Sequence, residues 1–355
     1  MSDTKALIAM SGGVDSSVAA YLMQQAGFDC AGATMQLCDN ELLGCNQADN
    51  VEDARSVAHR LGMGFHVFNH TNEFRQMVVD SFIQCYEQGG TPNPCIDCNR
   101  HLKFDALLQK ALSLGYDYIA TGHYARIEKD PDSGRYLLLR AADKAKDQTY
   151  FLSCLNQQQL AHTKLPLGTL TKEQVREIAV EQGFINARKR DSQDICFIPD
   201  GDYKAFMERY TGKQYPAGDF LDRSGNVIGR HSGAVGYTIG QRKGLGLAMG
   251  EPVYVCDKNM EKNTVTVGSN DALFQKTLRA KDWNWIPFPA LTQPIRVTSK
   301  VRYRHVEQPA TVYPEENGYA RVEFDEPQRA ITTGQAVVLY DGDLVVGGGT
   351  ITEIL

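Results

Sequence analysis

Residues 11–17 of the chain, with the sequence SGGVDSS, constrain the fold more than any other segment. They follow the apolar run 6–10 and precede the helix-like stretch 18–25, so the order is strand, turn, helix. Two adjacent glycines let the backbone turn tightly and gather N–H groups in one concavity, to which the helix start adds its positive dipole end. We call this segment the glycine loop and expect it to bind an anion. The hydroxyls of Ser11, Ser16 and Ser17 are expected to face phosphate, and Asp15 to cap the helix or reach a magnesium ion.

The first half of the chain alternates apolar strands with amphipathic helices. The pattern predicts strands at 5–10, 28–35, 65–68 and 116–122, and helices at 51–61, 74–87, 102–114 and 171–182. Thr171 is the predicted N-cap of the last helix, with Glu173 or Gln174 near the capping-box position. This order predicts an α/β doubly wound domain whose ligand site lies at the carboxyl ends of parallel strands. The glycine loop lies at such an end.

The second half of the chain has a different residue pattern. From about residue 219, glycines recur between short β-branched or aromatic runs, which favours a small central β-rich domain. From about residue 282, short strands are predicted at 295–303, 310–313, 319–324, 336–340 and 344–346, which favours a C-terminal β-barrel. The predicted domains are therefore 1–205, 206–280 and 281–355.

Composition argues against several classes of protein. The formal net charge of −6 is unlike a general nucleic-acid binder, although basic clusters occur at 100–103, 188–190 and 296–305. No apolar run reaches the ~20 residues that span a bilayer, and the N-terminal residues lack a secretory pattern. We therefore expect a cytoplasmic protein without membrane contact. The nine cysteines then favour reduced thiols over a disulfide framework, and Cys38 and Cys45 are interpreted as peripheral.

The second candidate centre is segment 91–100, with the sequence TPNPCIDCNR. Its two prolines favour an extended approach before a helix begins, which would place Cys98 at or near a helix N-terminus. There the helix dipole and the basic residues Arg100, His101 and Lys103 would favour the thiolate. The pair Cys95 and Cys98 can equally bind metal, cycle as a disulfide or be structural.

The chain also resembles known enzymes. The glycine loop resembles the PP-loop of ATP pyrophosphatases, which cleave ATP between its α- and β-phosphates and leave an adenylylated substrate. The whole chain resembles the bacterial tRNA-specific 2-thiouridylases nearly end to end. The shared motifs are 11–17, 91–94 with 98–99, 122–126, 146–148 with 150–152, 191–192 with 195–197, 240–246 and 302–304. The resemblance implies a PP-loop domain, a small central domain and a C-terminal β-barrel, and thiolation of the wobble uridine in the tRNAs for lysine, glutamate and glutamine.

The resemblance also implies a role for each matching residue. The cofactors it implies are ATP and Mg²⁺, with ATP bound by Ala9, Met10, Ser11, Gly12, Gly13, Val14, Asp15, Ser16, Met35 and Gly122. The implied contacts of the target base are Asn93, Pro94 and Cys95, and those of the rest of the tRNA are His123, Lys146, Asp147, Gln148, Arg302, Tyr303 and Gln335. Cys196 matches the persulfide carrier, and Cys98 matches the nucleophile that releases the sulfur and ends in a disulfide with Cys196. A cysteine desulfurase or sulfur-relay protein is the implied sulfur donor.

The chain departs from the commonest pattern of the family at one place. Many members carry aspartate directly after Asn-Pro and a hydrophobic residue before the nucleophilic cysteine, where this chain has Cys95 and Asp97. No general base can then be assigned at 95, and a carboxylate two residues further on would point elsewhere. Cys95, Cys98 and Cys196 are also the three thiolates that a [4Fe–4S] cluster with one open iron needs. A persulfide and a cluster both stay open as the sulfur source.

Two other classes of protein share some of these features. A small-molecule adenylating ligase would use the glycine loop and the α/β domain, but it leaves the three cysteines and the barrel without a role. An ATP-regulated RNA-binding protein would use the barrel and the basic clusters, but it does not explain a cysteine beside an adenylating loop. Pyrophosphate release that depends on tRNA separates the three classes.

Overall fold

The computed structural model describes residues 4–38, 48–189 and 195–355. Asp191, Ser192 and Cys45 therefore lie outside the described residues. In the described parts the strands are β1 (Lys5–Ala9), β2 (Asp29–Gln36), β3 (Gly64–Asn69), β4 (Tyr118–Ala120), β5 (Arg126–Lys129), β6 (Tyr136–Leu139), β7 (Thr163–Lys164), β8 (Gly218–Leu221), β9 (Val227–His231), β10 (Tyr254–Asn259), β11 (Thr264–Gly268), β12 (Phe274–Trp285), β13 (Ile295–Lys300), β14 (Gln308–Pro314), β15 (Ala320–Arg329), β16 (Ala336–Asp341) and β17 (Leu344–Ile354).

The α-helical segments in the same residues are Val14–Gln25, Ala48–Arg60, Thr71–Phe74, Asp80–Glu87, Pro94–Cys98, Leu107–Ser113, Thr149–Leu152, Gln157–Ala161, Lys172–Glu181 and Tyr203–Thr211. Two π-helical segments, Arg75–Val79 and Asn99–Ala106, continue the α-helical segments beside them. Short 3₁₀ turns occupy Ala234–Gly236, Asn270–Leu273 and Glu316–Gly318. The predicted capping box is confirmed, because Thr171 accepts from the Gln174 N–H and the Gln174 side chain accepts from the Thr171 N–H.

The first domain is built on a parallel sheet with the strand order β3-β2-β1-β4-β7. The chain moves outward from β1 to β3 and then returns to the other side of β1, so the strand order reverses between β1 and β4. In doubly wound sheets, ligands bind at the carboxyl ends of the strands beside such a reversal. The glycine loop follows β1 and Gly122 follows β4, so both lie at this position. The predicted fold class is confirmed.

The predicted elements of this domain agree with the observed ones at most positions. The exception is the segment from 91 to 114, where the helix begins at Pro94 instead of at 102 and runs without a break to Ser113. Its first and last parts are α-helical and its middle part, Asn99–Ala106, is π-helical. We call this whole segment the cysteine helix. Proline has no backbone N–H, and at the first helical position an N–H would have no partner within the helix. Pro94 can therefore start the helix at no cost in hydrogen bonds.

The other two domains are β-rich, as predicted. Strands β8 to β11 form a four-stranded sheet. Strands β12 to β17 form a six-stranded barrel, which is closed by the pairing of β12 with β17. Strand β12 begins at Phe274 and runs across the predicted domain boundary at 280/281. The hairpin β5–β6 of the first domain extends the barrel sheet through a pairing of Leu139 with Leu344, so the barrel is joined to the first domain by a shared sheet.

Two further findings bear on the expectations from composition. Cys38 is buried and disulfide-bonded, so at this position the expected reduced thiol is wrong. No helix in the described part of the chain combines the length and the apolar character needed to cross a bilayer.

Candidate active site

The glycine loop has the backbone of an anion cradle. Gly12 has a φ of +72°, and a Cβ there would lie 2.3 Å from the Asn50 carbonyl oxygen, so only glycine fits. Gly13 is the N-cap of helix Val14–Gln25 and provides no side chain to cap it. Because the first N–H groups of a helix have no partner within the helix, those of this turn are available to an anion.

The side chains of the loop divide into two groups. Ser11 is exposed, whereas Ser17 is fully buried, donates to the Gly13 carbonyl oxygen at 3.0 Å and accepts from Asn186 at 2.9 Å. Ser17 therefore holds the loop together, and its expected contact with phosphate is wrong. The hydroxyl of Ser16 also donates to the Gly13 carbonyl oxygen, at 3.1 Å, and accepts from the Ser11 N–H at 3.2 Å.

Asp15 is not the helix cap that the sequence predicts. Its carboxylate accepts from the Lys172 ammonium at 2.7 and 2.9 Å and from the Tyr124 hydroxyl at 2.8 Å. Lys172 is only 7% exposed, so its charge is balanced inside the protein by this carboxylate. About a third of the Asp15 side chain stays exposed, which leaves one side of the carboxylate open to a metal ion.

A brace on the other side of the loop was not predicted. The side-chain amide of Asn186 donates to the Gly12 carbonyl oxygen at 3.1 Å. The Lys189 ammonium donates to the same oxygen at 3.3 Å, and it also contacts Asn50 at 2.8 Å and Asp53 at 2.6 Å. These bonds use the Gly12 carbonyl oxygen, so they fix the turn from outside without occupying its N–H groups.

Gly122 and His123 connect this loop with the cysteine helix. A Cβ at Gly122 would lie 2.6 Å from the carbonyl carbon of Asp15, so the segment after β4 packs directly on the start of the glycine-loop helix. The neighbouring His123 ring lies 5.5 Å from the Phe104 ring of the cysteine helix, and its Nδ1 is 2.8 Å from the Thr121 hydroxyl. Burial, with a contribution from Lys103, lowers the pKa of His123 to about 3, so this imidazole is neutral at physiological pH. The two candidate centres are therefore adjacent.

The surroundings of Cys98 correct the prediction for this residue. Cys98 lies at the end of the first five-residue part of the cysteine helix, one turn beyond the N-terminus, and is 7% exposed. It packs in an apolar cluster that includes Leu102, Phe197 and Phe206. Burial raises the pKa of its thiol, and the nearby charges of Cys95 and Asp97 raise it further, while Lys103 opposes them. The expected thiolate at a helix N-terminus is therefore wrong for this state of the protein.

The three cysteines nevertheless share one site. Burial raises the pKa of Cys196 to about 12, with further contributions from Cys98 and Cys95, so the three sulfur atoms are within electrostatic reach of one another. Cys95 also has a pKa raised by burial, and Lys103 again opposes the shift. Both Cys95 and Cys196 have exposed surface, whereas Cys98 has little. A reagent from solution therefore meets Cys95 and Cys196 first.

The described residues offer no ready site for a single metal ion. Among residues 4–38, 48–189 and 195–355, no three or more His, Cys, Asp or Glu side chains are placed to share one metal ion. The three thiols that a [4Fe–4S] cluster needs are present in Cys95, Cys98 and Cys196, and all three are free.

Asp97 is within electrostatic reach of Cys95 and Cys98, and it also lines a cavity against the barrel. With Asn93, Arg100 and the barrel residues Gly334 and Ala336 it lines a cavity of about 160 Å³, and neither Cys95 nor Cys98 lines it. Burial raises the pKa of Asp97 to about 6, partly offset by Arg100. The expectation that a carboxylate at 97 points elsewhere than one at 95 is supported by this placement.

The barrel holds the entrance to the cysteine helix. The Gln335 side chain donates to the Thr91 and Pro92 carbonyl oxygens at 2.9 and 3.1 Å. Arg302 donates to the Thr332 hydroxyl at 2.6 Å and to the Ile239 carbonyl oxygen of the central domain at 3.2 Å. Both side chains connect domains in this structure, and their contacts with tRNA stay a prediction.

The remaining predicted tRNA contacts lie near one another. Asp147 is buried, accepts from Thr149 at 2.6 Å and from the Ala141 N–H at 3.0 Å, and lies 4.0 Å from Arg140. Gln148 accepts from the Tyr124 N–H at 2.9 Å. Tyr303 packs on Phe151 with ring centroids 4.4 Å apart. Burial raises the pKa of Tyr303, and the charge of Lys146 partly opposes this shift. Asp147 and Gln148 thus fix the local backbone, whereas Tyr303 has a half-buried ring beside a lysine.

Met35 and Asn93 complete the predicted residues. Met35 lies near the end of β2 and packs against both the cluster of Cys98 and the cluster beneath the parallel sheet. Asn93 is the N-cap of the cysteine helix but makes no side-chain bond to its backbone, and it lines the cavity against the barrel. Of these two residues, Met35 is the one that lies between the parallel sheet and the cluster of Cys98.

Comparison with known proteins agrees with this architecture. Three family models match in order along the chain. They are "tRNA methyl transferase HUP domain" at residues 4–200, "tRNA methyl transferase PRC-barrel domain" at 204–269 and "Aminomethyltransferase beta-barrel domain" at 275–351. The first of them covers more than half of the chain.

Similar proteins are found over the full length. The tRNA-specific 2-thiouridylase MnmA of Clostridioides difficile is 50% identical over 356 residues, which is 99% of each chain. The protein of the same name from Acetivibrio thermocellus is 49% identical over 358 residues, 99% of this chain and 100% of that one. Among solved structures, the "U34-tRNA thiolase NcsA from Methanococcus maripaludis with its [4Fe-4S] cluster" has a TM-score of 0.36 and 15% identity over 59% of this chain and 70% of its own. A similarity that low says nothing about how sulfur is handled here. On the full-length identity, the chain belongs to the tRNA-specific 2-thiouridylase family of tRNA-uridine sulfurtransferases.

Proposed function

We propose that this protein uses ATP and Mg²⁺ to replace O2 of the wobble uridine in tRNA with sulfur carried as a persulfide on Cys196. The observation that carries the proposal is the contact made by Gly122 and His123. One of these residues packs on the glycine loop and the next lies beside the cysteine helix. A base held there reaches a nucleotide phosphate on one side and a thiol on the other.

The first step activates the uridine. Its O2 attacks the α-phosphorus of ATP as the bond to the β-phosphate breaks, pyrophosphate leaves, and the N3 proton is lost. The N–H groups of the glycine loop favour the phosphates, because they are oriented before the reaction begins. Asp15 would hold Mg²⁺, and the ion would supply positive charge beside the phosphates. Its bond to Lys172 positions the carboxylate.

The second step moves the sulfur. The terminal sulfur of a Cys196 persulfide forms a bond to C2 as the C2–O bond to AMP breaks. The Cys98 thiolate then attacks the Sγ of Cys196, the bond to the transferred sulfur breaks, and a protonation at N3 gives 2-thiouridine. The protein is left with a disulfide between Cys98 and Cys196, and a dithiol reductant is needed to reduce it. The proximity of the sulfur atoms supports this order.

The substrate and partners follow from the same proposal. We propose the tRNAs for lysine, glutamate and glutamine as substrates, bound through the anticodon arm, with a cysteine desulfurase or sulfur-relay protein as the donor. Tyr303 provides an aromatic ring beside Lys146, which suits stacking of a splayed base next to a phosphate. The target base has to leave the anticodon stack to reach Cys196.

The test is nucleoside mass spectrometry of unmodified lysine tRNA after anaerobic incubation with the protein, Mg-ATP and a persulfide source. We expect 2-thiouridine at the wobble position, dependent on ATP, in a colourless protein without visible absorbance. Thiolation that requires a brown, iron-containing protein would replace the persulfide with a cluster. Cleavage of ATP to AMP and pyrophosphate without any thiolated nucleoside would contradict tRNA as the substrate.

A further inference from the structure

The cysteine helix changes its geometry directly after Cys98. Residues Pro94–Cys98 are α-helical and Asn99–Ala106 are π-helical. At 3.6 residues per turn, Lys103 would lie about 140° around the helix axis from Cys98. A π-helix closes i→i+5 hydrogen bonds, so the residue five positions on lies close to the starting residue's side of the axis. The change of geometry turns Lys103 toward the side that carries Cys98.

The charge of Lys103 affects the pKa of the three cysteines and of His123. It lowers the pKa of Cys95, Cys98 and Cys196 against the larger raising effect of burial, and after burial it is the cause that lowers the pKa of His123. The Lys103 ammonium is thus the cation common to all three sulfur atoms.

The same ammonium has no partner of its own. Across the described ranges, from 4 to 355 with gaps at 39–47 and 190–194, no hydrogen bond or ion pair joins Lys103 to another residue. The two acids nearest in sequence do not pair with it: Asp97 lines the cavity against the barrel, and Asp105 is exposed. A half-buried lysine that is left unpaired loses hydration without compensation, and a bound anion would supply it. Lys172 and Lys189, by contrast, are both paired with carboxylates.

We propose that Lys103 is the group that stabilises anionic sulfur during transfer to the tRNA. The inference rests on the proposed function, since a sulfur anion reacts in both halves of the sulfur step. In the first half the terminal sulfur of the persulfide bonds to C2 while AMP leaves. In the second half the Cys98 sulfur bonds to Cys196 while the transferred sulfur leaves with the electron pair. A fixed cation in a site of low polarity favours these charges more strongly than water does.

The experiment separates sulfur transfer from adenylation in one turnover. Protein loaded with persulfide is mixed with Mg-ATP and a lysine tRNA anticodon stem-loop, and pyrophosphate and 2-thiouridine are measured over time. The variants are Lys103→Met, Lys103→Arg and Lys103→Gln. Methionine keeps the length of the apolar side chain, arginine keeps the positive charge, and glutamine is neutral but keeps a polar end. The control is Lys110→Met, which removes a lysine that lies over the Phe68 ring of the same domain.

We expect Lys103→Met and Lys103→Gln to slow 2-thiouridine formation about 10²-fold, the effect of removing one group that stabilises developing charge. In both variants pyrophosphate release should stay within about threefold of the parent. Lys103→Arg should recover most of the rate of 2-thiouridine formation, and Lys110→Met should form both products at the parent rates. Thiolation by a folded Lys103→Met or Lys103→Gln variant at the parent rate would overturn the proposal. So would an equal loss of pyrophosphate release, because Lys103 would then act in adenylation. Absence of 2-thiouridine with the parent protein would instead contradict the proposed function.

Discussion

The glycine loop and the three-cysteine site differ in how charge is arranged around them. At the glycine loop the backbone supplies the donors, and each neighbouring lysine is neutralised, Lys172 by Asp15 and Lys189 by Asp53. At the cysteine site the side chains supply the chemistry, the thiols are desolvated, and Lys103 is not neutralised. The first site is complete before its ligand arrives. The second holds its thiols where burial raises their pKa, with the unpaired Lys103 as the cation that opposes the shift.

The largest effect is expected when the sulfur atom of Cys98 or Cys196 is replaced by oxygen. Cys98→Ser and Cys196→Ser should each lower 2-thiouridine formation by about 10³-fold or more, because a hydroxyl neither carries sulfur nor attacks it at neutral pH. Pyrophosphate release that depends on tRNA should persist, since the glycine loop is untouched. Both products are measured in the same reaction.

Cys256→Ser is the matched control, because this half-buried thiol lies in the central sheet and donates to the Tyr254 carbonyl oxygen. It should thiolate tRNA at the parent rate. Thiolation that survives in Cys98→Ser or Cys196→Ser would remove that cysteine from the mechanism.

A smaller effect is expected when the neutralised lysine of the glycine loop is removed. Lys172→Met leaves Asp15 with only the Tyr124 hydroxyl, so the carboxylate is no longer fixed. We expect the KM for ATP to rise about tenfold and the free energy of unfolding to fall by roughly 1–3 kcal/mol, less than for a fully buried pair because Asp15 is one-third exposed. Initial rates at varied ATP and urea unfolding measure the two effects.

The exposed Lys262 supplies the control for Lys172. Lys262→Met removes the same charge from the central domain and should change neither quantity. An unchanged KM for ATP in Lys172→Met would mean that the ion pair serves stability alone, and the glycine loop would then need no positioning from this side.

The two sites also differ in how far sequence alone predicts them. The glycine loop is local: two glycines between a strand and a helix predict a tight turn, and Gly12 and Gly13 form it. The residues that brace it, Asn186 and Lys189, lie more than 170 positions away and carry no motif. Only the fold brings them to the Gly12 carbonyl oxygen, so the basic cluster 188–190 did not identify the contact of Lys189 and nothing pointed to Asn186.

At the cysteine helix the error has a physical cause that the sequence does contain. The prolines at 92 and 94 were taken to delay the helix, but proline is favoured at the first helical position, and Pro94 occupies it. Starting the helix there moves Cys98 inward by one turn and changes its expected pKa. The π-helical turn that follows has no recognisable sequence signature, so the orientation of Lys103 could not be predicted.

The smallest effect on catalysis is expected at Asp97, whose side chain lines a cavity against the barrel. Asp97→Asn should keep the rate of 2-thiouridine formation within about threefold of the parent, because the carboxyl lines a cavity that neither Cys95 nor Cys98 enters. Asp105→Asn, at an exposed position of the same helix, is the control. A loss of about 10²-fold or more in Asp97→Asn alone would make Asp97 the general base and would join the cavity to the sulfur site.

Asp97 should instead affect stability, in a direction set by its pKa. In the folded protein burial raises this pKa to about 6, whereas an unfolded chain has about 3.9. Between these values the folded state holds a proton that the unfolded state has lost, so the free energy of unfolding falls as the pH rises from about 4 to about 6. Two pKa units set an upper limit of about 3 kcal/mol for the change. Urea unfolding at pH 4.5 and 6.5 should show a smaller fall in Asp97→Asn than in the parent or in Asp105→Asn. An equal fall in all three proteins would place the pH dependence elsewhere, and the carboxyl of Asp97 would then be as well solvated as an ordinary surface acid.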